Sequence, residues 1–414
     1  MRVASLFKRL LGLEGVRVVD LTLVESEDGQ EEVVVDLARR ERRRMRCPWC
    51  RRTITATYDR SVRSWRHLDL LRVRCRVRCE VRRIDCANCG VVGEEVPWAR
   101  PGARFTRAFE DTCVWLVRSA PKSVVAELQR IDWAAVGRMI ERVVDEQLGE
   151  AADWLDGLRR IGIDEVSDRK GRHYLTCVVD HQSGRIVWAK PGRSQRVVHA
   201  FFDELGPQRS AQLEAVSCDL HGMWRAVIEM RAPQARICAD PFHVIRLASD
   251  ALDTLRRQDW QRLRRSDPGA ARWLKGTRFI LRRRADGLGE GERSMIEGLA
   301  ETNERIYRGW LLVDQLRAVY QAEHAEQARA LLDQWLYAAA TSGLDPFVRV
   351  AVTLDQHAEA IVNAIALRLA NARPEAMNST VRLISHRSRG FKSVRSLLAM
   401  IQLVCGRIPV PLPT

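Results

Sequence analysis

The spacing of apolar and polar residues changes period three times along the chain, and each change marks a segment of different architecture. Residues 15 to 40 hold two β-branched runs, Val16-Arg-Val-Val-Asp-Leu-Thr-Leu-Val24 and Glu32-Val-Val-Val-Asp-Leu37. They are joined by the polar Glu27-Asp-Gly-Gln30, a pattern that predicts a hairpin. In Leu71-Arg-Val-Arg-Cys-Arg-Val-Arg-Cys-Glu-Val81 the apolar residues fall on odd positions and the charged ones on even positions. This is a strand with one apolar face, which packs Cys75 and Cys79 beside Val73 and Val77. Arg72, Arg74, Arg76 and Arg78 then form a basic ridge, either a solvated face or one that tracks phosphates. After Pro97 to Gly102 the period becomes helical, with segments at Phe105 to Ala120, Ser123 to Gln129 and Trp133 to Leu148, the last N-capped by Asp132.

From Ile161 the period returns to that of strands. Ile161-Gly-Ile-Asp-Glu-Val166, His173-Tyr-Leu-Thr-Cys-Val-Val-Asp180 and Arg185-Ile-Val-Trp-Ala-Lys190 read as a meander turning at Asp168-Arg-Lys-Gly171 and His181-Gln-Ser-Gly184. A helix at Val197 to Leu205, a strand at Ala215 to Asp219, a helix at Met223 to Arg231 and a strand at Ala235 to Asp240 follow. Three antiparallel strands followed by alternating helices and strands is the element order of the ribonuclease-H-like fold. From Phe242 to about Asn371 the pattern is helical, with breaks at Ser266-Asp-Pro-Gly269, Asp286-Gly-Leu-Gly289 and Thr341 to Pro346. The expected class is α+β multidomain: an N-terminal β hairpin and zinc ribbon over 1–98, a helix-turn-helix over 99–155, a ribonuclease-H-like catalytic domain over 156–404 whose all-helical block at about 250–370 is either a separate helical domain or an insertion, and a tail over 405–414.

The length of 414 residues allows two to four domains, and 46% hydrophobic with 29% charged residues excludes a wholly disordered basic chain. A net charge of +15 points to an anionic partner, most commonly nucleic acid. No run approaches the roughly 20 apolar residues that cross a bilayer, and the first residues lack a secretory core, so a cytoplasmic, nucleoid-associated protein is expected. Eleven cysteines, an odd number, argue for reduced or metal-bound thiols rather than a disulfide framework. Cys47-Pro-Trp-Cys50 and Cys86-Ala-Asn-Cys89, thirty-five residues apart, have the spacing that lets two tight turns aim four sulfurs at one Zn²⁺. The three helices that follow suggest a helix-turn-helix whose last helix carries Arg138 and Arg142 towards the major groove.

Two acids lie on expected core strands: Asp164, and Asp219 at the end of Ala215-Val-Ser-Cys-Asp219. If those strands are neighbours, the carboxylates repel unless divalent cations neutralise them. Glu375, on a helix opened by Pro374, is a candidate third ligand, and three such groups can hold two Mg²⁺ ions for phosphodiester displacement. Asp240, which also ends a strand, competes with Asp219. Among 53 acidic residues other trios are available, and capping or salt-bridging roles compete for each acid. His243 reads as structural or phosphate-facing. Arg382, Arg387, Arg389 and Lys392 follow Glu375 and are candidates to hold the DNA backbone.

The segment Asn371-Ala-Arg-Pro-Glu375-Ala-Met-Asn378-Ser-Thr-Val-Arg382-Leu-Ile-Ser-His-Arg387-Ser-Arg389-Gly390-Phe391 closely resembles the terminal catalytic motif of the ISL-three family of bacterial insertion-sequence transposases. Cys218-Asp219-Leu-His-Gly-Met-Trp224, Ala239-Asp-Pro-Phe-His-Val-Ile-Arg-Leu247, the paired cysteine knuckles and Gly162-Ile-Asp164-Glu extend the likeness over nearly the whole chain. The chain departs from the commonest form of the motif at Ala372 and Ala376, where many relatives have glycine. The resemblance implies a DDE triad of Asp164, Asp219 and Glu375 with two Mg²⁺, a structural Zn²⁺ on Cys47, Cys50, Cys86 and Cys89, and a homodimer on double-stranded DNA. It also implies binding of terminal inverted repeats, then hydrolysis and strand transfer. The alternatives are a non-catalytic DNA-binding regulator and a zinc-ribbon nuclease acting on RNA.

Overall fold

The computed structural model describes residues 3–13, 15–25, 29–39, 44–150, 154–167, 174–220, 222–369, 372–388, 391 and 393–411. The chain forms two compact units, one from 1–151 with 391–414 and the other from 152–390. The turn expected at Asp168 to Gly171 lies outside the described residues, as do Glu27 and Asp28 of the first hairpin.

The first unit opens with helix α1 (Val3–Leu10) and the antiparallel pair β1 (Val16–Glu25) and β2 (Glu31–Arg39). The short strands β3 (Met45–Arg46) and β4 (Thr53–Ile54) pair with each other around the first cysteine knuckle. Strands β5 (Asp59–Leu70) and β6 (Val73–Cys86) form a long hairpin, and β7 (Gly90–Gly93) folds back on β6 after the second knuckle. The sheet order is β1-β2-β6-β5, with β2 parallel to β6 and the other pairs antiparallel. As the alternation requires, Cys75, Val77, Cys79 and Val81 are all at most 2% exposed. The opposite face differs from the expected ridge. Arg78 bonds Asp36 directly across the strands at 2.6 and 2.7 Å, and Arg76 bonds Glu32 at 3.0 Å, so acids of β2 answer both of these arginines. Cross-strand opposite charges are the sheet's usual way of satisfying such a face.

Helices α2 (Arg107–Val117), α3 (Lys122–Leu128) and α4 (Trp133–Glu150) follow. Thr106 caps α2 by accepting the Phe109 N–H, while its hydroxyl also bonds the buried His67 ring at 2.8 Å, tying helix to sheet. A buried ion network holds these helices together. Arg100 bonds Asp111 and Glu146, each at 2.7 Å, and Glu110 at 3.4 Å, while Arg142 bonds the same fully buried Glu110 at 3.0 Å. Arg142 therefore does not reach outward as expected, because its position on α4 faces an acid 32 residues earlier on α2.

The second unit carries a sheet of order β10-β9-β8-β11-β12. Strands β8 (Arg160–Ser167), β9 (Tyr174–Asp180) and β10 (Ile186–Pro191) are the antiparallel meander. Helices α5 (Gln195–Leu205) and α6 (Pro207–Ser210) lead to β11 (Ala215–Cys218), and α7 (Gly222–Arg231) leads to β12 (Arg236–Ala239). Both strands run parallel to β8. One core combines Ile161, Ile163, Val178 and Val216 of the sheet with Phe201, Phe202 and Ile228 of the helices.

The helical block comprises α8 (Pro241–Ser266), α9 (Pro268–Gly276), α10 (Glu290–Thr302), α11 (Glu304–Val319), α12 (Ala325–Ala340), α13 (Asp345–Asp355) and α14 (Ala358–Ala366). It has its own core around Leu252, Leu255, Trp310, Leu316 and Phe347. Gly309 permits this packing, since a Cβ there would lie 3.1 Å from Leu252, Leu255 and Phe347. The block leaves the sheet at Asp240, which caps α8 by accepting the Phe242 N–H at 3.0 Å, and returns to the same edge, where Asn363 of α14 donates to the Ile237 carbonyl. That return delivers the chain to α15 (Ala372–Arg387), which packs on β8. The last helix, α16 (Val394–Val404), belongs to the first unit and packs on α4, where Arg395 pairs with Asp145 at 2.5 Å. The segment assigned to the end of the catalytic domain on sequence thus clusters with the helix-turn-helix.

Glu110→Ala should take from Arg142 its acid partner and leave the buried network one negative charge short, with Arg100 still held by Asp111 and Glu146, and chemical denaturation should register a loss of about 3–5 kcal/mol.

Candidate functional site

Hydrogen-bond register brings the acids together. Ala215 pairs with Arg160 and Ser217 with Gly162, so the same register two residues on sets Asp219 level with Asp164. Cys218 pairs with Ala239, and the Asp240 N–H donates to the Cys218 carbonyl at 3.2 Å, which sets Asp240 level with Asp219 on the other side. Three carboxylates therefore stand in a row at the same level of three adjacent parallel strands, with Asp219 in the middle. Open α/β sheets place their reacting groups at such carboxyl ends.

Asp164 is 8% exposed. One of its oxygens accepts the Glu165 N–H at 2.7 Å and the other accepts the Asn378 amide at 2.5 Å. Burial pushes its carboxyl up to about 6; these two hydrogen bonds and His243 oppose the shift, while the Asp240 charge adds to it. Carboxylates level with one another on adjacent strands offer the hard oxygen donors that divalent Mg²⁺ suits, although among the described residues these acids do not close to within 4.8 Å of one another as a group of three. Asn378 lies on α15 one turn after Glu375, so the hydrogen bond to Asp164 fixes the helix that carries Glu375 against β8. The Glu375 side chain itself lies outside the described residues.

His243, in the first turn of α8, faces the acids. Its Nδ1 is 3.1 Å from Asp219 and its Nε2 is 3.6 Å from Asp240. Asp219 also accepts the Leu220 N–H at 2.6 Å. Neither Asn378 nor His243 had been linked to a particular acid from sequence: both sit in the resembling segments, but only the fold shows which carboxylate each one meets.

The four knuckle cysteines converge. Their sulfurs lie within 4.8 Å of one another, with Cys50 and Cys86 at 3.5 Å. Tetrahedral Zn–S bonds of about 2.3 Å require sulfur separations of about 3.8 Å, so the group has the dimensions of a zinc site. The Asn88 backbone N–H, followed by bonds from neighbouring groups, holds the Cys86 thiol down at about 7, while burial and the neighbouring thiols push Cys89 up to about 12, so in the absence of metal the four sulfurs divide between thiolate and thiol. Among the basic candidates, Arg138, Arg382 and Arg387 are exposed, and Arg142 is held by Glu110. Arg389 and Lys392 lie outside the described residues.

A family model described as a transposase of the DDE type matches residues 161–401, and a model described as the helix-turn-helix domain of transposase family ISL3 matches 94–144. The chain belongs to the ISL3 transposase family. The first match contains β8, β11, β12 and α15, hence the whole row of acids and the helix of Glu375; the second contains α2, α3 and most of α4. The ISL3 chain is 36% identical over 428 residues to a transposase for insertion sequence element IS1557 of Mycobacterium tuberculosis, with 97% of this chain and 96% of the relative covered. It is 26% identical over 350 residues to a transposase for insertion sequence element IS1001 of Bordetella parapertussis, covering 84% and 86%. No helix among the described residues of this transposase-family chain is long and apolar enough to cross a membrane.

Asp164 titrates near 6 when folded against an ordinary 3.8, so folding disfavours its ionised form. The cost is absent below about pH 4, grows up to pH 6 and is complete above it. In metal-free protein, Asp164→Asn should therefore raise stability at pH 8 by up to about 3 kcal/mol, and the gain should vanish towards pH 4 in denaturation curves.

Proposed function

We propose that this protein is an insertion-sequence transposase that binds the terminal inverted repeats of its element and cuts and rejoins DNA at a two-metal site formed by Asp164, Asp219 and Glu375. The observation that carries the reading is the alignment of Asp164, Asp219 and Asp240 across adjacent parallel strands, with α15 bonded to Asp164 through Asn378. The sheet order, with three antiparallel strands and two added parallel to the first, supports a ribonuclease-H-like catalytic domain with the helical block inserted after β12. When bound, Mg²⁺ supplies charge stabilisation for the attacking and leaving oxygens of an in-line phosphodiester displacement.

The chain's own groups prepare that site. Asn378 holds Asp164 and His243 holds Asp219, so each keeps an oriented carboxylate where like charges would otherwise drive them apart. Asp240 caps α8, and the likeness of Asn371 to Phe391 to the family's terminal motif makes Glu375 the third ligand. Arg382 and Arg387, exposed on the same helix as Glu375, hold the DNA backbone. Water and then a 3′-hydroxyl serve in turn as nucleophile, so no protein side chain forms a covalent intermediate. A structural Zn²⁺ on Cys47, Cys50, Cys86 and Cys89 stabilises the ribbon, and pairing two ends calls for a dimer on DNA in the cytoplasm.

With Mg²⁺ and end-containing duplex, Asp164→Asn, Asp219→Asn and Glu375→Gln should each abolish cleavage while gel-shift affinity for the ends is kept; full activity in any of them removes that residue from the site. Elemental analysis should find one zinc per chain. The double variant Cys47→Ser/Cys86→Ser should lose the metal and with it most of the ribbon's stability, since structural zinc contributes about 10 kcal/mol or more to small domains.

A further inference from the structure

The positive charge of the chain falls in runs, and the largest of them lies in the ribbon. Between Arg39 and Arg83 there are seventeen arginines, no lysine and four acids; flanking acids answer some of them, Glu32 and Asp36 pairing Arg76 and Arg78 and Glu94 and Glu95 pairing Arg39 and Arg51, and residues 1 to 98 together keep 21 basic against 15 acidic residues. Residues 99 to 150, which contain the helix-turn-helix, have eight basic and eight acidic residues, a net charge of zero. Five of those eight basic groups are also occupied within the unit. Arg100, Arg107 and Arg142 join the Glu110 and Glu146 network, Arg130 pairs with Asp69, and buried Lys122 lies between the rings of Trp133 and Phe391 at 5.0 and 4.7 Å. A neutral module does not supply the long-range pull that holds a protein to phosphates.

The ribbon has free arginines in a suitable place. Met45 and Cys47 turn inward to the small knuckle core, so alternation turns Arg44 and Arg46 outward. Arg44, Arg46, Arg52 and Arg63 are exposed and form no ion pair among the described residues. Trp49, at the tip of the first knuckle and 61% exposed, lines a groove of about 210 Å³ with Arg51, Arg63 and Arg107. Glu94 and Glu95 also line the groove; Arg51 is answered by Glu95, Arg107 by Glu146 and Arg100 by Asp111 and Glu146, which leaves Arg63, lying over the Trp65 ring at 5.5 Å, as the groove cation with no ion pair among the described residues. The far wall of the groove, Ala99 to Gly102, leads directly into the helix-turn-helix.

We propose that the two modules divide the work on DNA: the arginine face of the ribbon, around Trp49 and Arg44, Arg46, Arg52 and Arg63, grips the phosphates of duplex DNA without regard to sequence, and the neutral helix-turn-helix discriminates sequence through α4 and Arg138. The partner is duplex DNA because the groove is continuous with the helix-turn-helix module. The inference rests on the transposase reading above and adds to it which surface supplies affinity and which supplies specificity.

The test uses full-length, zinc-loaded protein and two duplexes, one with the element's end and one scrambled, titrated from about 50 to 200 mM salt. In Arg46→Gln/Arg52→Gln/Arg63→Gln the slope of log K against log salt should fall by about 2–3, at about 0.9 per phosphate contact. Both duplexes should weaken alike, with zinc content and melting temperature unchanged. Arg138→Gln should lower the ratio of specific to scrambled binding and change the slope by about 1 at most. A wild-type slope in the triple variant, or a triple variant that loses only the ratio, overturns this division of labour even where the wild-type chain binds and cuts its ends. Tighter wild-type binding to an RNA duplex than to DNA overturns the choice of partner. A wild-type chain that neither binds nor cuts end-containing DNA overturns the transposase reading itself.

Discussion

The parallel hydrogen-bond register of β8, β11 and β12 is the constraint on which the site depends. A slip of one residue on β11 would turn Asp219 to the other face of the sheet and leave Asp164 without its neighbour. The register is fixed by burial: Val216 and Cys218 enter the core on one side, while Ala215 packs with Cys238, Ala364 and Leu369 on the other. The apolar strands therefore hold carboxylates level at their ends, and the cost of burial, with a smaller addition from Asp240, shows in the raised titration of Asp164. The fold tolerates that cost because each carboxylate also accepts a local hydrogen bond, from the Glu165, Leu220 and Phe242 N–H groups.

The helical block serves the same end by a longer route. It starts from the Asp240 cap and returns to the β12 edge through Asn363, so more than a hundred residues of helix begin and finish beside the acids. Its own apolar core makes it a rigid spacer between the second strand acid and α15. The chain then passes from α15 directly to α16, which packs on α4 of the helix-turn-helix. Backbone continuity thus connects the helix of Glu375 with the module that meets DNA.

Much of this was legible in the sequence where the pattern is local. Strand alternation in β6, the meander of β8 to β10, the helices α2 to α4 and the cysteine knuckles each follow from short-range periodicity or spacing, and the structure has them. What sequence could not show were pairings across long separations. Arg142 reads as a DNA contact on its own helix, but Glu110 of α2 claims it. Arg76 and Arg78 read as a ridge, but acids of β2 answer them. Asn378 meets Asp164 across 214 residues, and no periodicity encodes that contact. The same reason explains α16, which sequence placed in the catalytic domain and which α4 of the first unit covers.

The most direct measurement of the central claim is anomalous diffraction from crystals of the full chain bound to end DNA and soaked in Mn²⁺. The account predicts two ions about 3.5–4 Å apart, bounded by the carboxylates of Asp164, Asp219 and Glu375. A single ion held by Asp164 and Asp240, or a Glu375 carboxylate remote from both peaks, would contradict it.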